Sequence, residues 1–340
     1  MNGRAVVLPL LASIIAIGCS DDSVLASYDL HGNTMGTTFN VTLVAPSAQT
    51  DLEHLKSGIH EKLEHIENIA STYRAKSELS LFNANPSTDW VSVLPELCDM
   101  IAAAQEVSDT TGGAFDITVG PLVNLWGFGP QQSEPELPTD EEVAAAQLKV
   151  GNVKLQTNCE QSMLRKTIAD VYVDLSGWAK GYAVDEIAEL LDSGQLTNYL
   201  VEIGGELRVS GHNAEQRDFA IAIEKPLQNN EMDHSIVRLS NVAVATSGDY
   251  RNFYVHDGQR YSHTIDPRTG RPVTHNLTGV TVVTSSTAYA DAMATALLVL
   301  GPEDGHALAE QLELASYFLV RTDSGIEEIS TLQFARLRQQ

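Results

Sequence analysis

A chain of 340 residues with 43% apolar residues is long enough to form one large domain or two ordinary ones around a real hydrophobic core. Its 45 acidic residues outnumber 21 basic ones, which gives a formal net charge of −24. Such a surface repels phosphate backbones and therefore argues against a nucleic-acid partner.

The first nineteen residues carry the pattern of a targeting segment. Arg4 supplies a short positive region, and residues 5–17 form an apolar stretch that is too short to span a bilayer. The following Gly18-Cys19 completes a sequence that resembles a bacterial lipoprotein lipobox, in which the cysteine is acylated. We therefore predict a signal peptide at 1–18 and a lipidated Cys19; the alternative is an ordinary signal peptide with an incidental cysteine.

Lipidation of Cys19 predicts where the mature protein lies. Residues 19–27 would form the lipidated cysteine and a linker, and residues 28–340 would form the functional domain. The lipid anchor would hold that domain at a membrane, outside the cytoplasm and on the periplasmic side. We expect the inner membrane, although Ser20 by itself does not decide between the inner and outer membranes.

Apolar periodicity predicts interspersed helices and strands. In chain order, strands are predicted at 37–44, 171–175, 199–203, 218–224, 242–246 and 278–284. Thr50–Glu53 is a capping box that opens a helix through Ile69, and a second helix begins at Pro95 and stops at Gly112-Gly113. Because these elements do not follow a regular βαβ rhythm, their order predicts an α+β fold.

Two cysteines remain in the mature chain. Cys98 lies in a helical pattern, and Cys159 lies in a polar stretch that resembles a turn. The chain has no CxxC motif and no Cys/His cluster, so its sequence does not indicate a zinc site. An oxidising compartment permits a disulfide, but two cysteines do not define a framework, and we favour two separate cysteines.

One apolar segment near the C-terminus contains a carboxylate. Ala288–Leu300 is apolar except for Tyr289, Asp291 and Thr295, and the last two project from one face of a helix. A bare carboxylate is costly to bury unless a partner compensates it. Carboxylate and hydroxyl oxygens suit Mg²⁺, so this pair predicts a magnesium site of the kind that handles phosphates. The alternative is an aspartate in the first helical turn and a threonine bonded to a backbone carbonyl.

Two glycine-containing segments have the composition of ligand-binding loops. Residues 173–182 join a predicted strand to a helix, where small residues, a helix N-terminus and Lys180 favour phosphate oxygens. Glycines at 112–121, followed by aromatic residues at 126–129, would form a slot for a flat ring. The alternatives are a plain strand–helix connection and ordinary loop packing. Tyr73, after the first helix, would either stack on a ligand or cover the core.

A polar turn at 263–270 offers candidates for proton transfer. His263 and Asp266 lie three residues apart in this turn, and Pro267 and Gly270 define its shape. Either side chain has the chemistry of a general base for a hydroxyl nucleophile. The alternative is a structural turn in which Asp266 caps backbone amides.

Taken together, these segments resemble the FAD:protein FMN transferases, the ApbE-type family once labelled thiamine biosynthesis lipoproteins. The matching motifs keep the family's order along most of the mature chain, and they are Thr34–Thr37, Ser71–Tyr73, Ser77–Ser80, Phe115–Val123, Asp174–Tyr182, Gly204–Glu206, His263–Pro267 and Asp291–Thr295. The resemblance implies an α+β fold with a duplicated T-fold-like core. It also implies an enzyme that attaches FMN through its phosphate to a threonine of a target protein, with FAD as the donor and AMP as the product.

The resemblance also assigns roles to individual residues. Mg²⁺ would be bound by the Asp291 carboxylate, the Thr295 hydroxyl and the backbone carbonyl of Ala179. The implied FAD contacts are Met35, Tyr73, Ala114, Phe115, Asp116, Ser176, Lys180, Tyr182 and Ile265. His263 is the candidate base for the incoming threonine hydroxyl, and Asp266 is the second candidate.

Two other functions are compatible with the predicted site. Activation of a phosphate by Mg²⁺ does not choose the acceptor, so the same residues would serve an FAD pyrophosphatase with water as the nucleophile. The second alternative is a flavin-binding lipoprotein without catalytic activity. For a transferase, the family suggests acceptors among the threonine-containing subunits of membrane redox complexes, such as sodium-pumping quinone reductases and Rnf-type complexes.

Overall fold

The computed structural model describes residues 25–46, 51–129, 137–226, 232–249 and 253–338. The strands are β1 (Leu25–Thr34), β2 (Thr37–Pro46), β3 (Val91–Ser92), β4 (Leu155–Asn158), β5 (Met163–Lys166), β6 (Tyr199–Ile203), β7 (Glu206–Ser210), β8 (Phe219–Pro226), β9 (Met232–Leu239), β10 (Val242–Gly248), β11 (Phe253–His256), β12 (Gln259–Ser262), β13 (Ile265–Asp266), β14 (Arg271–Pro272), β15 (Leu277–Thr284), β16 (Ala315–Thr322) and β17 (Gly325–Ser330). The α-helices are α1 (Leu52–Ala70), α2 (Glu78–Ala84), α3 (Pro95–Thr110), α4 (Gly120–Leu125), α5 (Asp140–Gln147), α6 (Ala179–Ser193), α7 (Thr287–Gln311) and α8 (Leu332–Leu337).

An eight-stranded sheet forms the centre of the fold, in the order β1-β2-β6-β7-β10-β15-β16-β17. Every neighbouring pair in it is antiparallel. Strand β15 lies inside the sheet, and all of its residues except the last are buried. A strand that is covered on both faces favours apolar, β-branched residues, and the sequence of β15 is rich in valine.

Helices cover one face of this sheet, and a hairpin with a short helix covers the other. On the first face, α1 and α6 pack against β2 and β6, α7 packs against the central strands, and α3 packs against α7. On the second face, α8 and the β8–β9 hairpin share a separate core. Val282 and Val283 are neighbours on β15 and belong to different cores, as expected from the alternation of side chains along a strand. The predicted α+β class is confirmed.

Local signals located most of the helices correctly. Pro95 is the first residue of α3, and the glycines at 112–113 follow its end with positive φ values of 59° and 77°. The capping box predicted for α1 is wrong by one position. The N-cap is Asp51, whose side chain accepts a hydrogen bond from the amide of His54 at 3.1 Å, and Thr50 lies outside the described residues.

The strand predicted at 171–175 is absent from the described structure, where this segment has no regular secondary structure. The side-chain amide of Asn83 donates to the carbonyl of Val173 and accepts from its amide, both at 2.8 Å. The amide of Asp174 donates to the carbonyl of Ile117 at 2.7 Å. The prediction was wrong because these partners satisfy the backbone in place of a neighbouring strand.

The two cysteines form a disulfide, so the prediction of separate cysteines is wrong. Cys98 on α3 is bonded to Cys159 in the turn between β4 and β5, with a Cα–Cα distance of 5.5 Å. The two residues are 61 positions apart in the chain. Packing of α3 against the small sheet of β3, β4 and β5 brings them together, and neither local pattern contains that information.

The predicted targeting segment, including Cys19, lies outside the described residues. Strand β1 begins at Leu25, so the last three residues of the expected linker at 19–27 belong to the sheet. Among the described residues, none of the helices combines the length and the apolar character needed to cross a membrane.

Candidate functional site

A deep cavity of about 1300 Å³ opens beside the start of α6 and one face of α7. Its wall includes the loop at 114–117, the Gly204-Gly205 turn between β6 and β7, and the turn at 263–265. A cavity that collects polar groups from several loops of a packed scaffold is the expected form of a small-molecule site.

The cavity gathers most of the predicted site residues from distant parts of the chain. Those that line it are Met35, Tyr73, Ala114, Phe115, Asp116, Ser176, Ala179, Lys180, His263, Ile265, Asp291 and Thr295. Tyr182 and Asp266 are not part of the described lining. The folded chain therefore forms one site from segments that the sequence analysis had connected only through a resemblance.

An ion-pair cluster lies where α6 approaches α7. The ammonium of Lys180 is 3.2 Å from Oδ2 of Asp291 and 3.4 Å from Oε1 of Glu206. Both carboxylates are almost completely buried, with 2% of Asp291 and 4% of Glu206 exposed. Asp291 is therefore not the bare carboxylate expected from its apolar neighbours in the sequence, because Lys180 offsets part of the cost of burial.

A close approach of the two helices makes this cluster possible. A Cβ atom on Gly181 would lie 2.4 Å from the backbone oxygen of Thr287, so a larger residue would force α6 away from α7. The amide of Gly181 also faces Oδ2 of Asp291 at 3.4 Å. Glycine at this position therefore allows Lys180 and Asp291 to meet.

Burial and mutual repulsion shift the protonation equilibria of the cluster. Burial raises the pKa of Glu206 to about 8 against the opposing effect of Lys180, and the nearby Asp291 charge adds to the increase. Burial alone would lower the pKa of Lys180, but the two carboxylates raise it above its ordinary value. Lys180 therefore stays charged. The second oxygen of Glu206, Oε2, is buried and has no hydrogen-bond partner among the described residues.

Thr295 and Asp116 complete the polar wall. The hydroxyl of Thr295 lies 3.0 Å from that of Ser247 on β10, so it faces the sheet and the cavity. Asp116 accepts hydrogen bonds from the amide and hydroxyl of Thr118, at 2.7 and 2.6 Å. Burial nevertheless raises the pKa of Asp116 above its ordinary value. Asp116 thus shapes the loop that carries Phe115.

At the mouth of the cavity, one aromatic ring is left largely uncovered. Tyr73 is 71% exposed although it lines the cavity, which leaves its ring available for stacking on a ligand. Met35, which also lines the cavity, has a φ of 49°, and its amide donates to Oε1 of Glu67 at 3.0 Å. That hydrogen bond holds the left-handed turn between β1 and β2.

The structure separates the two candidate bases. His263 lines the cavity, and its ring centroid is 6.3 Å from that of Phe128. Asp266 is bound by Arg268, with both carboxylate oxygens 2.9 Å from guanidinium nitrogens, and it also accepts from the amide of Arg268. This geometry matches the alternative interpretation of Asp266 as a residue that stabilises the turn.

Few residues of the cavity are candidates for binding Mg²⁺. Within the described parts of the chain, no group of three or more His, Cys, Asp and Glu side chains is arranged to hold a metal. The predicted site instead combines one carboxylate, one hydroxyl and one backbone carbonyl, and Asp291, Thr295 and Ala179 all line the cavity. Magnesium binding stays a prediction.

A comparison with protein families agrees with this assembly of motifs. The model of the ApbE family matches residues 35–318, which is most of the chain. The chain belongs to the ApbE family. The resemblance that the motifs predicted is therefore confirmed.

Relatives in the ApbE family match nearly the whole chain. The FAD:protein FMN transferase of Vibrio cholerae serotype O1 is 42% identical over 328 residues, which are 96% of this chain and 97% of that protein. The FAD:protein FMN transferase of Escherichia coli strain K12 is 36% identical over 333 residues, which cover 96% and 95% of the two chains.

Solved ApbE structures share the fold. The flavin transferase ApbE from Vibrio cholerae superposes with a TM-score of 0.86 at 41% identity, over 92% of this chain and 99% of that one. The apo form of Pseudomonas stutzeri flavinyl transferase ApbE also gives 0.86, at 38% identity, over 93% and 98% of the two chains.

Two residues that organise the site in this ApbE-family chain had no assigned role in the sequence analysis. Glu206 belongs to a motif that carried the resemblance, and its partnership with Lys180 emerges only in the fold. Asp185 on α6 accepts hydrogen bonds from the amides of Thr287 and Ala288 and so caps α7. A lone aspartate in the middle of a helix carries no sequence signal for such a role.

Proposed function

We propose that this protein is a Mg²⁺-dependent FAD:protein FMN transferase. It would transfer the FMN part of FAD to a threonine hydroxyl of an extracytoplasmic redox protein and release AMP. The observation that carries this proposal is the single cavity that the Lys180–Asp291 ion pair, Thr295 and His263 all line. Membership in a family whose relatives are named FAD:protein FMN transferases supports the same reaction.

The charge of the cavity supports a cation requirement. Its acidic lining residues are Glu67, Asp116, Asp174, Glu202, Glu206, Glu224 and Asp291, whereas its basic ones are Arg74, Lys180 and His263. The diphosphate of FAD would meet net repulsion there without an additional cation. Asp291, Thr295 and the carbonyl of Ala179 have the hard oxygens to hold Mg²⁺. When bound, Mg²⁺ would act as a Lewis acid on the diphosphate.

The chain's own residues would supply the remaining functions. Tyr73 would stack on an aromatic ring of FAD, and Lys180 would donate to a phosphate oxygen. His263 would take the proton as the threonine oxygen forms its bond to the phosphorus of the FMN part. The bond from that phosphorus to the bridging oxygen breaks, and AMP leaves with this oxygen and its electron pair. Positioning and electrostatic stabilisation dominate such a reaction.

Mass spectrometry of an acceptor protein tests the proposal. The purified protein is incubated with FAD, Mg²⁺ and a threonine-containing redox subunit, and the subunit is analysed for FMN on the threonine. Labelled subunit and AMP are the expected products. Free FMN without labelled subunit would identify a pyrophosphatase, and unchanged FAD would identify a binding protein.

A pair of variants on α7 controls this experiment. Asp291→Asn removes the buried carboxylate that faces Lys180, and we expect it to abolish FAD turnover. Glu303→Gln removes an exposed carboxylate on the same helix and should keep the wild-type rate. Turnover that persists in Asp291→Asn would contradict the metal assignment.

We also propose that Cys19 is lipidated and holds the protein at the periplasmic face of the inner membrane. The lipobox-like sequence that ends at Cys19 supports this proposal. Anchoring there would bring the cavity to acceptors in sodium-pumping quinone reductases or Rnf-type complexes. Cys19→Ala should move the protein from the membrane fraction to the soluble periplasm and abolish labelling by palmitate. Membrane retention of the variant would contradict the anchor.

A further inference from the structure

The ammonium group of Lys180 uses all of its hydrogen-bond donors within the cavity. It faces Asp291 at 3.2 Å and Glu206 at 3.4 Å, and it donates to the carbonyl of Ser176 at 3.2 Å. A lysine ammonium has three donors, and these partners account for them. Loss of any one partner would therefore leave the lysine anchored by two others.

Two buried carboxyl groups share the one ammonium of Lys180. The second oxygen of Glu206, Oε2, has no hydrogen-bond partner among the described residues and is free to accept from Lys180. Asp291 is the only carboxylate among the proposed Mg²⁺ ligands, and Lys180 lies against it. A cation that binds Asp291 must therefore share or displace the contact that Lys180 makes there.

We propose that Glu206 is a positioning residue that holds Lys180 when a divalent cation binds Asp291. With the cation bound, the ammonium gives up its contact with Asp291 and keeps its contacts with Glu206 and the carbonyl of Ser176. The lysine then stays in the cavity, where a diphosphate would lie. This inference rests on the proposed Mg²⁺ site and adds the residue that lets Lys180 and the cation occupy the site together.

The effects of Glu206 and Lys180 on cation affinity should therefore be coupled. In Glu206→Gln, Lys180 loses the carboxyl group that would hold it away from Asp291, so the ammonium competes more strongly with the cation. In a Lys180→Met background there is no ammonium to relocate, so Glu206→Gln removes only a nearby carboxyl group. Glu206→Gln should therefore weaken cation binding by a larger factor when Lys180 is present.

Binding of Mn²⁺ measures this coupling without any turnover. Mn²⁺ prefers the same oxygen ligands as Mg²⁺, and the loss of its free electron paramagnetic resonance signal reports binding. The wild type, the two single variants and the double variant are titrated after their folding is checked by thermal denaturation. We expect Glu206→Gln to weaken binding at least about fivefold more in the Lys180 background than in the Lys180→Met background.

Glu202→Gln is the matched control. Glu202 also lines the cavity, and its carboxylate accepts from the amide of Gly205 and the side-chain amide of Asn40. Its removal should weaken Mn²⁺ binding by the same factor in both Lys180 backgrounds. Equal factors for Glu206→Gln in the two backgrounds would overturn the inference while leaving the proposed cation site intact.

A crystal structure of the wild type with Mn²⁺ provides a second test that needs no variant. We expect Lys180 to lie farther from Asp291 than 3.2 Å and to keep its contact with Glu206. A lysine that leaves both carboxylates would overturn the inference. If the wild type binds no Mn²⁺ and turns over FAD without metal, the proposed Mg²⁺ role fails together with this inference.

Discussion

The carboxylate of Asp185 accepts hydrogen bonds from both the amide and the hydroxyl of Thr287, each at 2.8 Å. Asp185 lies on α6 and Thr287 is the first residue of α7, so one helix caps the other. Lys180 lies at the start of α6, and Asp291 lies one turn into α7. The cap therefore helps to set the distance between Lys180 and Asp291.

Asp185→Ala should reduce both stability and cation binding. Loss of a charged cap costs about 1–2 kcal/mol of unfolding free energy, and Arg208 also loses its partner at 2.9 Å. Because α7 then shifts relative to α6, Mn²⁺ affinity should fall as well. Denaturant unfolding and Mn²⁺ titration measure the two effects. Asp51→Ala, which removes the N-cap of α1, should lower stability and leave Mn²⁺ affinity unchanged. Similar Mn²⁺ affinities in both variants would contradict a positioning role.

His263→Ala should slow transfer and leave FAD binding largely intact. His263 lines the cavity, and loss of a general base typically reduces the rate by about 10²–10⁴. Single-turnover transfer to an acceptor and a separate FAD binding titration distinguish the two effects. Asp266→Asn serves as the comparison because Arg268 already binds its carboxylate. A larger rate loss in Asp266→Asn than in His263→Ala would assign the base to Asp266.

Ionisation of Glu206 should lower the free energy of unfolding as the pH rises. Burial raises its pKa to about 8 from an ordinary 4.5, so the folded protein keeps a proton that the unfolded chain loses. The contribution is complete below pH 4.5 and is lost by about pH 8, with a slope of at most about 1.4 kcal/mol per pH unit.

Unfolding of the wild type and Glu206→Gln in EDTA isolates this effect. The free energy of unfolding of the wild type should decrease, relative to that of the variant, as the pH rises through this range. Other titrating groups are common to both proteins and cancel in the difference. A difference that does not change with pH would show that Glu206 titrates at its ordinary pKa.

Removal of the disulfide should destabilise the fold. The bond joins residues 61 positions apart, and closing a loop of that length in the unfolded chain corresponds to about 4 kcal/mol. The double variant Cys98→Ser/Cys159→Ser should therefore unfold at a lower denaturant concentration than the wild type. Reductant should lower the stability of the wild type and leave that of the double variant unchanged. Insensitivity of the wild type to reductant would contradict a disulfide that stabilises the fold.

The sequence by itself determined most of the helices and the identity of the family. Pro95 starts α3 and the following glycines end it because helix capping depends on residues a few positions apart. The spacing of Asp291 and Thr295 placed both on one helical face, and both line the cavity. The order of the motifs was sufficient to identify the family because each motif is a short local segment that can be recognised without knowledge of the fold.

Tertiary structure alone decided which of these segments meet. Lys180 and Asp291 are 111 positions apart, and their ion pair depends on Gly181 allowing two helices to approach. Asn83 replaces a strand as the partner of Val173, which is why the predicted strand at 171–175 did not form. Cys98 and Cys159 likewise meet only because α3 packs against the small sheet of β3, β4 and β5. Side-chain pairing across such distances follows from the packing of whole elements, and periodicity within any one element does not encode it.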